Sequence, residues 1–232
     1  MTEFTPPPRP LEPTSRWIRV RAGDVWVADS RRATLLVEYG PGRLPTYILP
    51  PEDVRTDLLT PDGDLRLNGQ VLEGVAEQLE NGWTFTWDGR VTWFEEAAEV
   101  VVHPRDPKHR VDAIASERHV VVEVGGEVVA ESRRPTALFE TSLPTRWYLP
   151  PEDVRQDLLE PSSKVTSCPY KGTARYWSVR VGDTLHDDIA WSYPEPVVEC
   201  PRIAGLVCFF NERVDLTIDG VRQDRPSTPW SR

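Results

Sequence analysis

A short segment in the second half of the chain contains the residues best suited to chemistry. Residues 167–177 read SCPYKGTARYW, which places Cys168 three residues before Lys171. A nearby ammonium group lowers the pKa of a thiol and makes the reactive thiolate more available. His186 would act as the base for this thiol if a hairpin brought the two side chains together. The alternative interpretation is a small, partly buried cysteine in a turn, without a catalytic role.

Lys171 is one of only three lysines in the chain, and Gly172 follows it directly. A glycine lets the backbone approach a ligand closely. Together with Arg175, the ammonium group of Lys171 would hold a phosphate or a carboxylate, and Tyr170 would add an aromatic wall. The alternative is a solvated lysine in a turn, and the sequence is compatible with both.

A second motif, AWSYPEP at residues 190–196, places Trp191, Tyr193 and Glu195 at alternate positions. Alternate side chains of an extended segment share one face, and the prolines of this motif favour extended backbone. Two aromatic rings and a carboxylate on one face would line a pocket. Glu195 is therefore the second candidate, beside Cys168, for a chemical role.

Metal chemistry has little support in the sequence. A nucleotidyltransferase would need two or three carboxylates around Mg²⁺ and a phosphate-cradling loop. Asp187 and Asp188 are adjacent, so their side chains would point to opposite faces of a strand, and no glycine-rich loop of the usual spacing occurs. Cys200 and Cys208 lie eight residues apart, which is not a usual zinc-ligand spacing. We predict no metal site, and the sequence leaves the cofactor unknown.

The chain repeats itself along its length. TYILPPEDVRTDLLTP at residues 46–61 matches RWYLPPEDVRQDLLEP at residues 146–161 in eleven of sixteen positions, and VWVADSRR at 25–32 is matched by EVVAESRR at 127–134. Two such pairs in the same order indicate a tandem duplication. RVD at residues 110–112 and RVD at 213–215 are interpreted as the ends of the two repeats. Segments kept in both halves are assigned to the shared fold, and the CPYKG and WSYPEP motifs, which occur once, become the candidates for function.

Short runs of alternating apolar and polar residues, separated by glycine turns, predict β-hairpins throughout. Pro51 and Pro151, each followed by two carboxylates, are typical of helix starts. The sequence therefore predicts an all-β, mainly antiparallel fold with two tandem domains, each with one short helix after its third strand. The predicted parts are a disordered tail at residues 1–15, a first domain at 16–114, a second domain at 115–222 and a C-terminal tail at 223–232.

Composition narrows the class of partner. A formal net charge of −10 argues against a surface that tracks phosphate backbones, so we expect no nucleic-acid partner. No apolar run approaches the roughly 20 residues of a membrane span, and we expect no membrane association. Three cysteines form no pairwise disulfide framework, which favours reduced thiols. Because the N-terminus also has no signal-peptide core, the expected location is the cytoplasm.

The motifs of the second repeat carry a family resemblance. ESRRPTALFETSLPTRWYLPPEDVRQDLLEP, then CPYKG, AWSYPEP and IAGLVCFFNERVDL, resemble the family called domain of unknown function 427, which also carries a nucleotidyltransferase-type name. The resemblance implies a compact β fold similar to the β-tent folds of small zinc-binding and sulfoxide-reductase-like proteins, and no settled reaction. The first repeat departs from the family pattern because it lacks both CPYKG and WSYPEP.

The leading hypothesis is a small-molecule site in the second repeat, with the first repeat as a structural partner that has lost its site. Lys171 would meet an anionic group, the aromatic residues would hold a flat or apolar portion, and Cys168 or Glu195 would perform any chemistry. One alternative is a non-enzymatic adaptor that presents a surface to a protein partner. Another is nucleotidyl transfer, which only the family name suggests. The sequence leaves the oligomeric state open.

Overall fold

The computed structural model describes residues 11–40, 43–79 and 81–231, and its internal contacts divide the chain into two units, Met1–Asp106 and Pro107–Arg232. All ladders between the strands of these residues are antiparallel. The only helical segments among them are five 3-10 turns, so the predicted all-β fold is confirmed. Within the described ranges, no helix has the length and apolar character needed to cross a membrane.

In the first unit, short strands form two small sheets, β1-β4-β5 and β11-β10-β2-β3, and two hairpins, β6-β7 and β8-β9. Backbone hydrogen bonds of 2.8 Å in both directions between Leu49 and Trp83 connect the edge after β5 to β9. The strands are β1 Leu11–Pro13, β2 Ile18–Ala22, β3 Val25–Ser30, β4 Thr34–Leu36, β5 Thr46–Ile48, β6 Leu65–Leu67, β7 Gln70–Leu72, β8 Ala76–Leu79, β9 Gly82–Phe85, β10 Thr92–Glu95 and β11 Ala98–Glu99.

The second unit is built from a seven-stranded sheet, β12-β15-β16-β20-β19-β18-β17, and a four-stranded sheet, β14-β13-β21-β22. Burial alternates along β13, where Val120, Val122 and Val124 enter the core, as the sequence pattern predicts. The strands are β12 Val111–Ala115, β13 Val120–Val124, β14 Glu127–Ser132, β15 Thr136–Glu140, β16 Arg146–Leu149, β17 Leu159–Cys168, β18 Gly172–Val181, β19 Thr184–Ser192, β20 Val207–Phe209, β21 Asp215–Ile218 and β22 Val221–Arg222.

The predicted short helix is observed in each unit as two consecutive 3-10 turns, Pro51–Asp53 with Thr56–Leu58 and Pro151–Asp153 with Gln156–Leu158. They follow β5 and β16 rather than a third strand. Val154, between the turns, has extended backbone (φ −118°, ψ 137°) and bridges to Ala130 of β14. This pairing with the neighbouring strand interrupts the helix after a single turn. A fifth 3-10 turn spans Pro201–Ile203.

The two motifs that recur in both repeats bind one another. In each unit a serine and an arginine of the SRR motif contact the carboxylates of the PPED motif, and we call this arrangement the Ser–Asp–Arg clamp. It explains why both motifs occur twice, since each needs the other to hold the 3-10 turn against the hairpin. The bonds are Ser30–Asp53 at 2.8 Å, Arg32–Glu52 at 2.9 Å and Arg32–Asp53 at 2.5 Å, and Ser132–Asp153 at 2.7 Å, Arg134–Glu152 at 2.9 Å and Arg134–Asp153 at 3.0 Å.

The strand registers place the start of each repeat earlier than predicted. Pro13 of β1 pairs with Thr34, and Ala115 of β12 pairs with Thr136 in the equivalent strand. Strand β12 is therefore the opening strand of the second unit, not the end of the first domain. The predicted tail also contains β1, while residues 1–10 lie outside the described residues.

The interpretation of RVD at residues 110–112 as the partner of RVD at 213–215 is wrong. Ile218 of β21 pairs with Val120, and Glu95 of β10 pairs with Ile18 in the equivalent strand. The counterpart of residues 213–215 is therefore the segment at residues 90–92. The three letters recur by chance in a strand of different position.

The second unit is longer than the first at two points. Leu59 forms a β-bridge with Leu65, and five residues lie between them. Nineteen residues lie between Leu159 and Val179, the equivalent pair of the second unit. Three residues separate the positions 79 and 83, whereas thirteen separate 193 and 207. We call residues 160–178 the hairpin extension and residues 194–206 the loop extension.

Between the two extensions the units correspond residue by residue. Gly74 and Asp188 occupy equivalent positions and both have a positive φ, 58° and 51°. The backbone N–H of Gly74 donates to Asp64 Oδ1 at 2.9 Å, and that of Asp188 donates to Ser178 Oγ at 3.1 Å. This shared irregularity fixes the alignment of residues 65–79 with residues 179–193.

The C-terminal segment, predicted as a tail, contacts the rest of the second unit. Thr228 Oγ1 donates to Glu212 Oε1 at 2.6 Å, and the Arg225 side chain donates to the carbonyl of Val214 at 3.1 Å. Glu212 also forms a bidentate pair with Arg146, with both N–O distances 2.7 Å, and neither side chain is more than 6% exposed.

The Arg146–Glu212 pair generates a stability prediction. Glu212→Gln should lower the free energy of unfolding by about 3–5 kcal/mol, because it leaves a buried guanidinium without its counter-charge. Asp157→Asn, in the exposed pair with Arg155, should cost far less, because water and salt screen an exposed ion pair. Urea unfolding of the full chain measures both, and equal effects of the two variants would contradict the prediction.

A second prediction concerns the clamp in acid. Hydrogen bonds from Arg134 and Ser132 hold the pKa of Asp153 below its ordinary value of 3.8. Since this pKa is lower in the folded than in the unfolded state, the stabilisation is complete above pH of about 4 and is lost as the pH falls through the folded-state pKa. Asp153→Asn should be less stable at neutral pH and should lose less stability on acidification. Urea unfolding over a pH series tests this, with the exposed Asp187→Asn as the control.

Candidate functional site

The two extensions of the second unit meet each other. Gly172, in the hairpin extension, forms a β-bridge with Pro196 of the loop extension, and the N–H of Val197 donates to the carbonyl of Lys171 at 3.2 Å. Gly172 has a φ of 106°, and a Cβ there would lie 3.1 Å from the carbonyl oxygen of Glu195. The close approach that we predicted for a ligand at Gly172 is therefore made by the protein's own loop.

A network of ionisable groups lies where the extensions meet. The Lys171 ammonium group donates to Glu140 Oε2, and His109 Nε2 lies 3.1 Å from Glu140 Oε1. The exposed fractions of the Glu140, Lys171 and His109 side chains are 5%, 12% and 14%. The ring of Tyr170 lies on that of His109, with centroids 4.3 Å apart. We call His109, Glu140, Cys168, Tyr170 and Lys171 the Lys171 cluster.

A second, smaller core supports this cluster on one face of the seven-stranded sheet. Trp191 is buried in it, donates its indole N–H to the Tyr148 hydroxyl at 3.1 Å, and packs on Phe210 with a centroid distance of 4.5 Å. Tyr193 is also buried there. Both aromatic residues predicted to line a pocket therefore pack inside the protein, beneath the cluster. The residues buried in this second core are Leu138, Tyr148, Ala174, Tyr176, Trp191, Tyr193, Cys200, Ile203, Cys208 and Phe210.

Cys168 lies at the end of the hairpin extension and is partly buried. Burial raises the pKa of the Cys168 thiol, whereas the positive charge of Lys171 acts in the opposite direction. The net shift is upward, because removing the thiolate from water costs more than the nearby ammonium group returns. The sequence argument gave the correct sign for Lys171 but not the net direction.

Three predicted residues do not join the Lys171 cluster. His186 pairs with Val179, seven residues along β18 from Gly172, which is roughly 23 Å of extended strand, so it cannot serve Cys168 as a base. Arg175 is exposed and alternates with the buried Ala174 and Tyr176, so it points to the other face. Glu195 is exposed because the strand ends at Ser192 and the chain then bends, which removes it from the face of Trp191 and Tyr193.

Glu140 and His109 are the residues that sequence reasoning missed. Glu140 occupies the position of Glu38 in the first unit, where Arg43 Nη1 lies 2.7 Å from the Glu38 carboxylate. Residues present in both repeats were assigned to the fold, and this rule concealed a carboxylate that each unit pairs with a cation. His109 had only a six-residue spacing from His103 to mark it, and no pattern linked it to the CPYKG turn.

The chemical capacity of the site follows from these contacts. Lys171 and His109 present nitrogen donors, Glu140 is already their shared acceptor, and Tyr170 offers an aromatic surface. Among the described residues, no group of three or more His, Cys, Asp or Glu side chains is arranged to hold a metal ion. The cluster is suited to holding a polar, preferably anionic, group beside a thiol.

The opposing charges around Cys168 generate a prediction about thiol reactivity. Lys171→Met should raise the pKa of Cys168 further, and Glu140→Gln should lower it, because the two charges shift this pKa in opposite directions. The measurement is the pH dependence of iodoacetamide labelling, read on the peptide that contains Cys168. Cys208, where burial raises the pKa to about 12, should stay unlabelled in the folded protein. Shifts of the same sign in both variants would contradict the prediction.

Comparison with known proteins places the chain in a family. It matches the family described as domain of unknown function 427 over residues 10–66 and 112–220, and a search among curated proteins gave no match. The second matched segment contains both extensions, whereas the first ends at residue 66, directly after the place where the hairpin extension is absent. The chain belongs to the domain of unknown function 427 family, in a tandemly duplicated form.

Proposed function

We propose that the second unit binds a small molecule with an anionic group and a flat portion at the Lys171 cluster. The observation that carries the proposal is that the hairpin extension, which pairs with the loop extension, brings Lys171 to Glu140, where His109 shares the same carboxylate. The same two extensions are absent from the first unit. A feature that only one of two duplicated units retains is better explained by function than by the shared fold.

The charge of the cluster favours an anion. Lys171 and Glu140 form one ion pair, and the imidazole of His109 adds a further donor on the same carboxylate. An incoming carboxylate or phosphate can replace or share Glu140 as the acceptor for these donors. Partial burial strengthens such contacts, because fewer water molecules compete for them.

The rings at the cluster favour a flat group. The rings of Tyr170 and His109 contact each other in a tilted arrangement, with an angle of 30° between their planes. Both residues are partly exposed, so an aromatic ring or another planar group can extend the stack. Aromatic pairs of this kind contribute about 0.5–1.5 kcal/mol beyond the area they bury. The Cys168 thiol lies in the same cluster and is the nucleophile available to a bound ligand.

Calorimetric titration with phenyl phosphate tests the proposal. Lys171→Gln should weaken binding by roughly tenfold or more, since a hydrogen bond to a charged group is worth about 1.5–3 kcal/mol. Glu140→Gln should strengthen binding, because it removes the negative charge that competes for Lys171. Lys164→Gln is the matched control, because Lys164 lies on the same hairpin but interacts with Asp188 and Tyr176.

The outcomes separate the proposal from general charge attraction. Equal weakening by Lys164→Gln and Lys171→Gln would show that only the overall charge of the hairpin matters. Absence of binding, or binding that Glu140→Gln weakens as strongly as Lys171→Gln does, would refute the assignment. Benzylammonium serves as the probe of opposite charge and should not bind at this cluster.

A further inference from the structure

We infer that the first unit carries its own ligand site, a cleft that takes a small organic cation with an apolar body. The cleft has a volume of about 670 Å³ and lies on the sheet face formed by strands β4, β5, β8 and β9. Volumes of about 300–1,000 Å³ are typical of small-molecule sites. The residues that carry the argument are Leu36, Glu38, Glu77, Thr86, Trp87 and Asp88.

The cleft exists because the first unit lacks what fills the same face in the second unit. The strand registers equate Ala76 with Ala190 and Phe85 with Phe209. The neighbouring positions on this face carry three aromatic side chains and a cysteine in the second unit, and a leucine and three polar side chains in the first. The equivalent pairs are Trp191 and Glu77, Tyr193 and Leu79, Cys208 and Thr84, and Phe210 and Thr86.

The two extensions account for the rest of the difference between the two faces. In the second unit, Tyr176 from the hairpin extension and Ile203 from the loop extension are buried over this face. The first unit has five and three residues where the extensions would be, too few to reach across it. The face that forms a second core in one unit is therefore a solvent-accessible cleft in the other.

The charges around the cleft favour a cation. Three carboxylates and one guanidinium line it. The guanidinium, Arg43, is bound to Glu38, and Asp88 is bound to Arg90 at 2.6 Å. Glu77 is exposed and forms no ion pair with any residue that the structure describes. The charges within these two ion pairs cancel, and the carboxylate of Glu77 leaves one negative charge at the cleft.

Trp87 gives the cleft its apolar wall. Its ring stacks on Trp93 with centroids 4.6 Å apart and planes 10° from parallel, and its indole N–H donates to Thr46 Oγ1 at 3.0 Å. The ring is fixed by both contacts. An ammonium group is attracted to the electron-rich face of a tryptophan ring, and Leu36 and Phe85 extend the apolar surface.

Calorimetry with 2-phenylethylammonium tests the inference, with 3-phenylpropionate as a probe of similar shape and opposite charge. The cation should bind more tightly than the anion, and Glu77→Gln should weaken binding of the cation about three- to tenfold. Glu73→Gln is the matched control, since Glu73 is an exposed acid of the same region that does not line the cleft. Quenching of tryptophan fluorescence, lost in Trp87→Phe, reports where the probe binds.

Filling the cleft provides an independent check. Thr86→Phe introduces the side chain found at the equivalent position of the second unit and should abolish binding of 2-phenylethylammonium. Glu77→Trp does the same at a second position, and a far-ultraviolet circular dichroism spectrum shows that each variant is folded. Lys171→Gln should leave this binding unchanged, which separates the cleft from the Lys171 cluster. Equal binding of both probes, or full binding by either filled variant, would overturn the inference.

Discussion

A sheet with two apolar faces must have both faces covered, and this constraint organises the whole chain. In the second unit one face of the seven-stranded sheet packs against the four-stranded sheet and forms the main core. In the first unit strands β4, β5, β8 and β9 take the place of the larger sheet in the main core. The opposite face of these strands differs between the two units. In the second unit two extensions cover it with aromatic and aliphatic side chains, and in the first unit polar and smaller residues line a cleft. Exposing apolar surface to water costs about 25 cal/mol per Å². This cost explains why the face is apolar where the extensions cover it and more polar where they are absent.

Glu140 is buried because the same two extensions cover this face of the sheet. A carboxylate removed from water costs several kcal/mol unless it is paired, and the hairpin extension supplies Lys171 as the partner. The pairing also fixes the tip of the hairpin against the loop extension, because the carbonyl of Lys171 accepts a hydrogen bond from Val197. A structural requirement thus produces a cluster of functional groups at a defined place. The equivalent Glu38 meets Arg43 instead, so both units neutralise the same acid with different cations.

The two units share the contacts that hold the fold together and differ at their surfaces. The serine–aspartate bond of the Ser–Asp–Arg clamp has nearly the same length in both units, 2.8 and 2.7 Å, and in each it joins the 3-10 turn to its hairpin. The positive φ at Gly74 and Asp188 is likewise preserved, although a glycine adopts it freely and an aspartate does not. The two faces that a ligand could reach share much less. The two units therefore keep the contacts that hold the fold and differ at the faces where we propose the ligand sites.

Much of the architecture was determined by the sequence alone. The alternation of apolar residues determined the strands, and the repeated PPEDVR and SRR motifs determined the duplication, because both depend on local patterns that survive in one dimension. The same patterns located the CPYKG turn, where Cys168 and Lys171 do lie together. They also gave the correct sign for the effect of Lys171 on the thiol.

The composition of the site was decided only by the tertiary structure. Glu140 and His109 reach Lys171 from positions 31 and 62 residues away in the sequence, and nothing in their neighbours indicates this contact. His186, by contrast, is close in sequence but lies far along an extended strand. Trp191 and Tyr193 are buried because the extensions cover them, and the net direction of the Cys168 pKa depends on that burial. Long-range strand pairing decides which side chains meet, and a linear pattern does not contain it.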